Sequence, residues 1–234
     1  MTADQHAGAD RSSPCRAAAD APPDAGLGPV LEARVTALLQ AGGRRLLGIA
    51  GAPGAGKSTL AAQVARAFPE VVVVPMDGFH LAQTELERLG RADRKGAPDT
   101  FDAAGYVALL RRLREPAGET VYAPEYRRDL RNGVAGAIAV PPGTALVVTE
   151  GNYLLVDDAG FGPVRALLDE AWFVAPDDDT RRERLVARHV AFGKAPDAAH
   201  AWTHGPDERN AVLVAASADR ADVLVGPGGV TVRD

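Results

Sequence analysis

The stretch that decides the fold is GIAGAPGAGKSTLA, residues 48–61, in which a short apolar run leads into a glycine-rich segment and a lysine. Residues 51–58 match the spacing G-x-x-x-x-G-K-S/T, which is typical of a phosphate-binding loop. The glycines let backbone N–H groups wrap closely around a polyphosphate, and a helix that begins near Lys57 points its positive end at the same anion. The segment therefore predicts a strand, a phosphate-binding loop and a helix in succession.

The polar residues of this loop have separate predicted roles. Lys57 is expected to reach the β- and γ-phosphate oxygens of ATP, the Ser58 hydroxyl to bind Mg²⁺, and Thr59 to donate a further hydrogen bond. The chain has only three lysines, at positions 57, 95 and 194, so a lysine in this register rarely arises by accident. The predicted nucleotide-binding residues are Gly51, Ala52, Pro53, Gly54, Ala55, Gly56, Lys57, Ser58 and Thr59.

Apolar strands alternate with segments of helical periodicity along the chain. The apolar runs lie at 44–51, 71–75, 145–155, 171–176 and 222–225, and the helical segments at 27–43, 57–68, 80–90, 103–115, 161–170, 178–192 and 206–218. The four consecutive valines at 71–74 are typical of a strand buried on both faces. This order predicts an α/β protein with a three-layer P-loop NTPase fold, in which helices cover both faces of a central parallel sheet. Short β-like pieces at 119–143 predict a small insertion.

The domain organisation follows from composition. Residues 1–26 are rich in alanine, aspartate, proline and glycine, and such a segment buries too little apolar surface to offset its ordering entropy. We therefore predict a disordered N-terminal leader over residues 1–26. Residues 27–234 show no repeat, no long linker and no second composition class, which predicts a single domain.

Charge, hydropathy and cysteine content narrow the class of partner. The chain has 26 basic and 31 acidic residues and a formal charge of −5, which argues against a nucleic-acid partner. No apolar run approaches the 18 or so residues of a membrane span. The single cysteine, Cys15, allows no disulfide within the chain, which is typical of a reducing compartment. We predict a cytoplasmic protein without nucleic-acid or membrane partners.

Three other interpretations of these motifs fit less well. A Rossmann dehydrogenase needs G-x-G-x-x-G, whereas Gly51, Gly54 and Gly56 are spaced G-x-x-G-x-G. A regulatory GTPase needs an Asn-Lys-x-Asp motif, and no lysine here follows an asparagine. His200 and His204 have the spacing of a helical metal pair, but no third ligand stands out and a Gly-Pro pair follows at once.

Two acidic residues come at the ends of apolar runs. Asp77 follows the valines at 71–74, and Glu150 ends the run ALVVTE. Because ligands of open parallel sheets bind beyond the carboxyl ends of the strands, we expect both acids on the same edge as the phosphate-binding loop. Phosphoryl transfer to an alcohol needs one carboxylate as the base and one to help hold Mg²⁺. We assign Asp77 as the base, since Gly78 and Phe79 suggest a close-approach turn, and Glu150 with Ser58 as the metal ligands, although the two acids could exchange roles.

Six motifs carry a family resemblance. In chain order they are GAPGAGKST, MDGFH, RKGAPDTFD, YAPEYRRD, VVTEGNYLL and DDTRRERLVARH. Together they resemble the phosphoribulokinase/uridine kinase family of P-loop kinases over about residues 27–226. Within that family, DGFH and RKGAPDTFD look most like the bacterial pantothenate kinase branch, and the whole looks most like a group described as nucleoside/nucleotide kinase-like or fructokinase-like.

The resemblance implies an activity and further site residues. It implies an ATP-dependent phosphotransferase that uses Mg²⁺ and transfers the γ-phosphoryl group to an alcohol of a sugar, a pantothenate-like compound or a nucleoside, in that order of preference. The segment YAPEYRRDL departs from the uridine kinase form, which counts against uridine. The resemblance also implies an arginine-bearing lid helix with Arg181, Arg184 and Arg188, and an acceptor site in the insertion and nearby loops. The implied catalytic residues are Asp77, Lys57, Glu150 and Arg184, and the implied acceptor residues are His80, Lys95, Tyr122, Tyr126 and Arg128.

One alternative belongs to another functional class. A P-loop ATPase with a regulatory or partner-driving role would share the phosphate-binding loop but would have no small-molecule acceptor. The polar insertion at 119–143 counts against it. The predicted partner is therefore a small-molecule alcohol, and the sequence leaves open a homodimer.

Overall fold

The computed structural model describes residues 26–115 and 118–233. The predicted leader therefore lies outside the described residues, apart from its last residue. The strands of the described chain are β1 (Arg45–Gly51), β2 (Val72–Pro75), β3 (Val121–Arg127), β4 (Asn132–Val140), β5 (Leu146–Gly151), β6 (Glu170–Val174), β7 (Val223–Gly226) and β8 (Gly229–Val232). The helices are α1 (Pro29–Gln40), α2 (Lys57–Ala67), α3 (Gln83–Arg88), α4 (Ala103–Arg114), α5 (Val164–Leu167), α6 (Asp178–Ala191), α7 (Pro196–Trp202) and α8 (Glu208–Ala215).

The main sheet has six strands in the order β2-β5-β1-β6-β7-β8. Neighbouring strands from β2 to β7 are parallel, and β8 pairs antiparallel with β7. The strand β8 was not predicted, because its segment GGVTV is short and begins with two glycines. β3 and β4 form a separate antiparallel hairpin, which is the predicted insertion.

Two apolar cores lie on opposite faces of the sheet. On one face, Leu47 and Ile49 of β1 pack with residues of α1 and α2 such as Val35 and Val64. On the other face, strand residues pack with α4, α5 and α8, as Leu110 does. Each fully buried side chain of this kind contributes about 1.5–3 kcal/mol. The three-layer α/β fold with a central parallel sheet is therefore confirmed.

The valine run lies at the edge of the sheet and not within it. β2 pairs with β5 alone, and Val72 and Val73 are only partly buried, whereas Val71 and Val74 are buried. The prediction of a strand buried on both faces was therefore too strong. A buried hydrogen-bond chain fixes this edge strand, because the hydroxyls of Tyr106 and Thr149 lie 2.7 Å apart and Thr149 Oγ1 donates to the Val74 carbonyl at 2.7 Å.

The hairpin packs directly on the turn that follows β2. This turn is a short 3₁₀ helix, Met76–Phe79. A Cβ added to Gly78 would lie 2.4 Å from the carbonyl oxygen of Pro124 in β3, a distance that real Cβ atoms do not reach. Gly78 is therefore needed for close approach, as its position after Asp77 suggested, but what approaches it is the hairpin backbone.

The chain between α6 and α8 is helical for longer than predicted. α7 is followed by a π-helical turn at Thr203–Asp207 that leads directly into α8. Gly205 and Pro206 do not end the helix, because the wider π turn continues it past the proline. The rings of His200 and His204 pack edge to face with centroids 4.1 Å apart. Within the described ranges, no three potential metal-binding side chains cluster, and no helix is long and apolar enough to cross a bilayer.

Candidate active site

The phosphate-binding loop connects β1 to α2, as the motif predicts. The loop is pressed against α6, because a Cβ on Gly54 would lie 2.7 Å from both the Arg181 carbonyl oxygen and the Leu185 side chain. Gly54 also has φ +79°, in the left-handed region that residues with a Cβ rarely adopt. Glycine is therefore required here both for conformation and for contact.

Lys57 begins α2 and is buried. Its ammonium group donates hydrogen bonds to the Ala52 carbonyl at 3.0 Å and to Asn152 Oδ1 at 2.7 Å. Burial lowers the pKa of Lys57 to about 8, against the opposing effect of the carboxylates Glu150 and Asp77. An anion bound at the loop would therefore meet a cation that is poorly compensated in the free protein.

Nucleotide binding is expected to take up protons at Lys57. With a pKa of about 8, roughly half of the Lys57 side chains are neutral at about pH 8, and bound phosphates would raise this pKa and restore the proton. Calorimetric titration with ATP in two buffers of different ionisation enthalpy should show an uptake of about half a proton near pH 8. The uptake assigned to Lys57 should fall as the pH is lowered toward 6.5 or so, since the amine is then already charged. Binding near pH 8 without any uptake would contradict this expectation.

Glu150 lies at the end of β5 beside α2. Ser58 Oγ donates a hydrogen bond to Glu150 Oε1 at 2.9 Å. The Glu150 carboxyl is buried, and burial together with the nearby Asp77 raises its pKa. A carboxylate and a hydroxyl are the oxygen donors that Mg²⁺ prefers, and a cation would offset the cost of burying this acid. Ser58 and Glu150 therefore fit a divalent cation.

Asp77 lies on the same edge of the sheet as Glu150. Pro75, the last residue of β2, pairs in register with Glu150, and Asp77 follows two residues later in the 3₁₀ turn. Hydrogen bonds within the turn stabilise it: the Asp77 carbonyl oxygen accepts one from the His80 amide at 3.1 Å and one from His80 Nδ1 at 2.8 Å. The structure thus brings the two strand-end carboxylates and Lys57 together.

A wall of rings and one cation lies next to Asp77. The His80 ring stacks on Phe101 and Tyr126, with centroids 4.0 and 4.8 Å apart. The Lys95 ammonium lies 5.4 Å from the centre of the Tyr126 ring. Burial lowers the pKa of His80, so the ring is neutral at pH 7 with its proton on Nδ1, which donates to the Asp77 carbonyl.

These groups line one cavity of about 410 Å³, a volume suited to a small ligand. It extends from the phosphate-binding loop at Pro53 to the π turn at Asp207. Of the sequence-predicted site residues, the cavity brings together Pro53, Asp77, His80, Lys95, Tyr126, Arg128 and Arg188.

The three arginines of α6 do not share one surface, which corrects the expectation that they act together. Arg184 lies over the loop, with one guanidinium nitrogen 3.8 Å from the position of a Cβ on Gly56, and Arg188 lines the cavity. Arg181 is buried with 2% of its surface exposed, and it pairs with Asp178 and Glu208 at 3.0 and 2.7 Å. Arg181 therefore takes part in the packing between α6 and α8 and does not line the cavity.

Tyr122 is likewise not brought to the site. Its side chain is 59% exposed on β3, outside the cavity lining, whereas Tyr126 lines the cavity. Four residues apart, they would share a face of a regular strand, but the pairing of the hairpin is irregular between Ala123 and Glu125. The predicted acceptor residue Tyr122 therefore lies outside the cavity that holds the other predicted acceptor residues.

Sequence reasoning missed several residues of the cavity lining, including four polar groups. Asn152 accepts a hydrogen bond from Lys57. Its place two residues after Glu150 is the only feature of the sequence that could have indicated this role. Arg131 at the hairpin tip, Asn210 of α8 and the pair His189–Asp207, whose Nε2 and Oδ2 atoms lie 2.7 Å apart, also line the cavity. Asp207 and Asn210 lie in the predicted helical segment 206–218, but no residue pattern indicated that they line a cavity.

The fold and the site together define a P-loop protein of the kinase type, with α6 packed against the loop and the acid Asp77 in the cavity lining. The family model described as phosphoribulokinase / uridine kinase matches residues 46–198, and the chain belongs to that family. The predicted resemblance is confirmed.

Curated relatives of this chain include two that match most of their own length. The "ATP-dependent kinase-like protein notR'" of Aspergillus versicolor is 38% identical over 133 residues, which are 54% of this chain and 77% of that one. The protein YggC of Escherichia coli is 34% identical over 179 residues, 74% of this chain and 73% of its own. Names of pantothenate kinases and uridine kinases also occur among the relatives, over 45% and 62% of this chain.

Solved structures agree on the fold. A "putative fructose transport system kinase" from Silicibacter sp. TM1040 has a TM-score of 0.70 and 38% identity, over 80% of this chain and 93% of its own. YFH7 from Saccharomyces cerevisiae has a TM-score of 0.71 at 16% identity, over 84% and 97% of the two chains, and so shows the fold alone.

Proposed function

We propose that this chain is an ATP-dependent kinase that transfers the γ-phosphoryl group of ATP to an alcohol group of a small molecule. Residues 27–234 would form its one kinase domain. Family membership supports phosphotransfer from ATP. The observation that carries the proposal is the position of Asp77, which lines the cavity from the edge where Lys57 and Glu150 meet.

The chemistry assigns one task to each group. The acceptor hydroxyl loses its proton to the Asp77 carboxylate as its oxygen bonds to the γ-phosphorus, while the bond from that phosphorus to the bridging oxygen breaks and ADP leaves. Lys57 and the loop amides hold the phosphates, and Arg184 and Arg188 approach them from α6. Mg²⁺ held by Ser58 and Glu150 would neutralise charge that develops on the phosphate oxygens.

The cavity favours this role over that of a P-loop ATPase without an acceptor. An ATPase needs to position only water, whereas here the rings of His80, Phe101 and Tyr126 form a wall next to the proposed base. Such a wall binds an organic acceptor and excludes water from the transferred phosphoryl group.

The test is ADP release in the presence and absence of alcohols. With ATP and Mg²⁺ alone, turnover should be slow, and an added acceptor among sugars, sugar acids, nucleosides and pantothenate should raise it by about 10²-fold or more, with the phosphorylated product seen by ³¹P NMR. Fast ADP release with water alone, unchanged by every alcohol, would favour the ATPase.

A further inference from the structure

The cavity carries more positive than negative charge on its acceptor side. The whole lining has five cationic side chains and two carboxylates; Arg188 is assigned to the phosphates of ATP, and the other four cations are Lys95, Arg128, Arg131 and Lys194. The carboxylates are Asp77, already assigned as the base, and Asp207, which is bound to His189. Nothing in the transfer of a phosphoryl group to a neutral alcohol requires this excess.

Lys95 and Arg131 form the centre of this charge. The Lys95 ammonium donates to the Arg131 carbonyl oxygen at 2.7 Å and to Gln83 Oε1 at 3.2 Å, both of which are neutral acceptors. Among residues 26–115 and 118–233, no carboxylate lies within ion-pair distance of Lys95, Arg128 or Arg131. Burial and the nearby Arg131 charge both lower the pKa of Lys95, as expected of like charges held together.

Arg127, next to Arg128 in the chain, is an example of an arginine that is paired with a carboxylate. Arg127, in the same hairpin, is not part of the cavity lining and makes a bidentate pair with Asp129, at 3.1 and 3.0 Å. Arg128 instead stacks on Phe192 at the end of α6, with its guanidinium carbon 5.0 Å from the ring centre. The hairpin therefore pairs Arg127 with a carboxylate, whereas Arg128 and Arg131, which line the cavity, have no such pair in the described part of the chain.

Arg131 is also held in a costly backbone conformation. Its φ is +54°, in the left-handed region where glycine or asparagine would be cheaper. The residue lies at the tip of the β3–β4 hairpin, where loops often contain one residue in this conformation. In this conformation the Arg131 carbonyl oxygen accepts a hydrogen bond from Lys95, and Arg131 lines the same cavity.

We propose that the acceptor is an anionic alcohol, whose carboxylate or phosphate group is bound by Lys95, Arg131 and Arg128 while its hydroxyl faces Asp77. This rests on the proposed kinase function and specifies its substrate class. The phosphates of ATP would be bound from the opposite side, by Lys57 on α2 and by Arg184 and Arg188 on α6. Tyr126, between Lys95 and His80, supplies the apolar floor for the carbon chain.

The test compares alcohols in matched pairs that differ in the anionic group. The pairs are glycerol and glycerate, glucose and gluconate, panthenol and pantothenate, and fructose and fructose 6-phosphate, so that the last pair separates phosphate from carboxylate. Where a pair is turned over, kcat/KM should be at least about tenfold higher for the anionic member. Equal or better turnover of the neutral members would overturn the proposal.

Variants locate the anion site. Lys95→Met and Arg131→Met should each raise the KM of the anionic acceptor by about tenfold or more, with the KM of ATP within about twofold of the wild type. Arg127→Met removes the same charge from the same hairpin outside the cavity, and should leave both values unchanged. An equal effect of Arg127→Met, or a rise in the KM of ATP alone, would show that Lys95 and Arg131 do not bind the acceptor.

A binding measurement separates this proposal from the proposed function. Trp202 lines the cavity and Trp172 is buried in the core, so tryptophan fluorescence reports ligands without turnover. The protein is titrated with both members of each pair in the presence of a non-hydrolysable ATP analogue, and the tryptophan fluorescence is recorded. If no alcohol is phosphorylated, the kinase function fails. The anion proposal then stands if only anionic members bind, and it fails if neutral members bind equally or none binds.

Discussion

Replacing Asp77 by asparagine is expected to lower kcat by about 10²–10⁴-fold while the affinity for ATP changes little. The amide has the shape of the carboxylate but cannot accept the hydroxyl proton. The hydrogen bonds from His80 reach the backbone carbonyl of residue 77, so they survive the substitution and keep the turn in place. The measurement is kcat with a saturating acceptor, together with the dissociation constant of ATP by calorimetry.

The second carboxylate of the cavity is the matched control. Asp207 is already bound to His189, so Asp207→Asn should lower kcat by less than about tenfold. A larger loss for Asp207→Asn than for Asp77→Asn would reassign the base. A collapse of ATP affinity in Asp77→Asn with kcat preserved would make Asp77 a nucleotide or metal residue and give Glu150 the other role.

The parts of the site that sequence predicts best are those set by local geometry. A strand, a glycine loop and a helix follow one another within residues 45–67, so the motif alone positions Lys57 and Ser58. Asp77 and Glu150 were placed by a rule of topology, since parallel strands present their carboxyl ends at one edge. Neither inference needed any long-range contact to be known.

The expectations that the structure corrects concern residues whose positions depend on packing between segments that are distant in the chain. Four valines fit a central or an edge strand equally well, and only the strand order shows that β2 pairs on one side. Arg181 and Arg188 lie only about 20° apart around a helix, but seven residues place them roughly 10 Å apart along it. One is therefore buried against the loop and α8, while the other reaches the cavity.

The acceptor side was the least predictable part. Tyr122 and Tyr126 are separated by an irregular pairing that no residue pattern in β3 announces. Arg131 acquires its role from a left-handed turn at the hairpin tip, and Asp207 from a π turn. Turns of these two kinds form only where packing offsets the strain in the backbone, and the local sequence alone does not show where that happens.

Replacing Lys57 by methionine is expected to abolish measurable turnover, with kcat lower by about 10²–10³-fold or more. The variant should also weaken ATP binding by about tenfold or more, because a charged hydrogen bond to the phosphates is lost. Methionine keeps most of the buried side-chain volume, so the loop and the start of α2 should stay folded. ADP release and calorimetric titration with ATP measure the two losses, and near wild-type activity would contradict the phosphate-binding role.

The pH dependence of stability provides a control that does not rely on activity. Burial lowers the pKa of Lys57 from 10.5 to about 8, so between these values the folded chain binds fewer protons than the unfolded chain. The free energy of unfolding of the wild type should therefore rise relative to that of Lys57→Met as the pH increases through this window, and the penalty should be fully present below about pH 8. Denaturant unfolding of both proteins across this range measures the difference. A difference that is flat with pH would mean that Lys57 titrates normally in the free protein, and the expected proton uptake on ATP binding would then be absent as well.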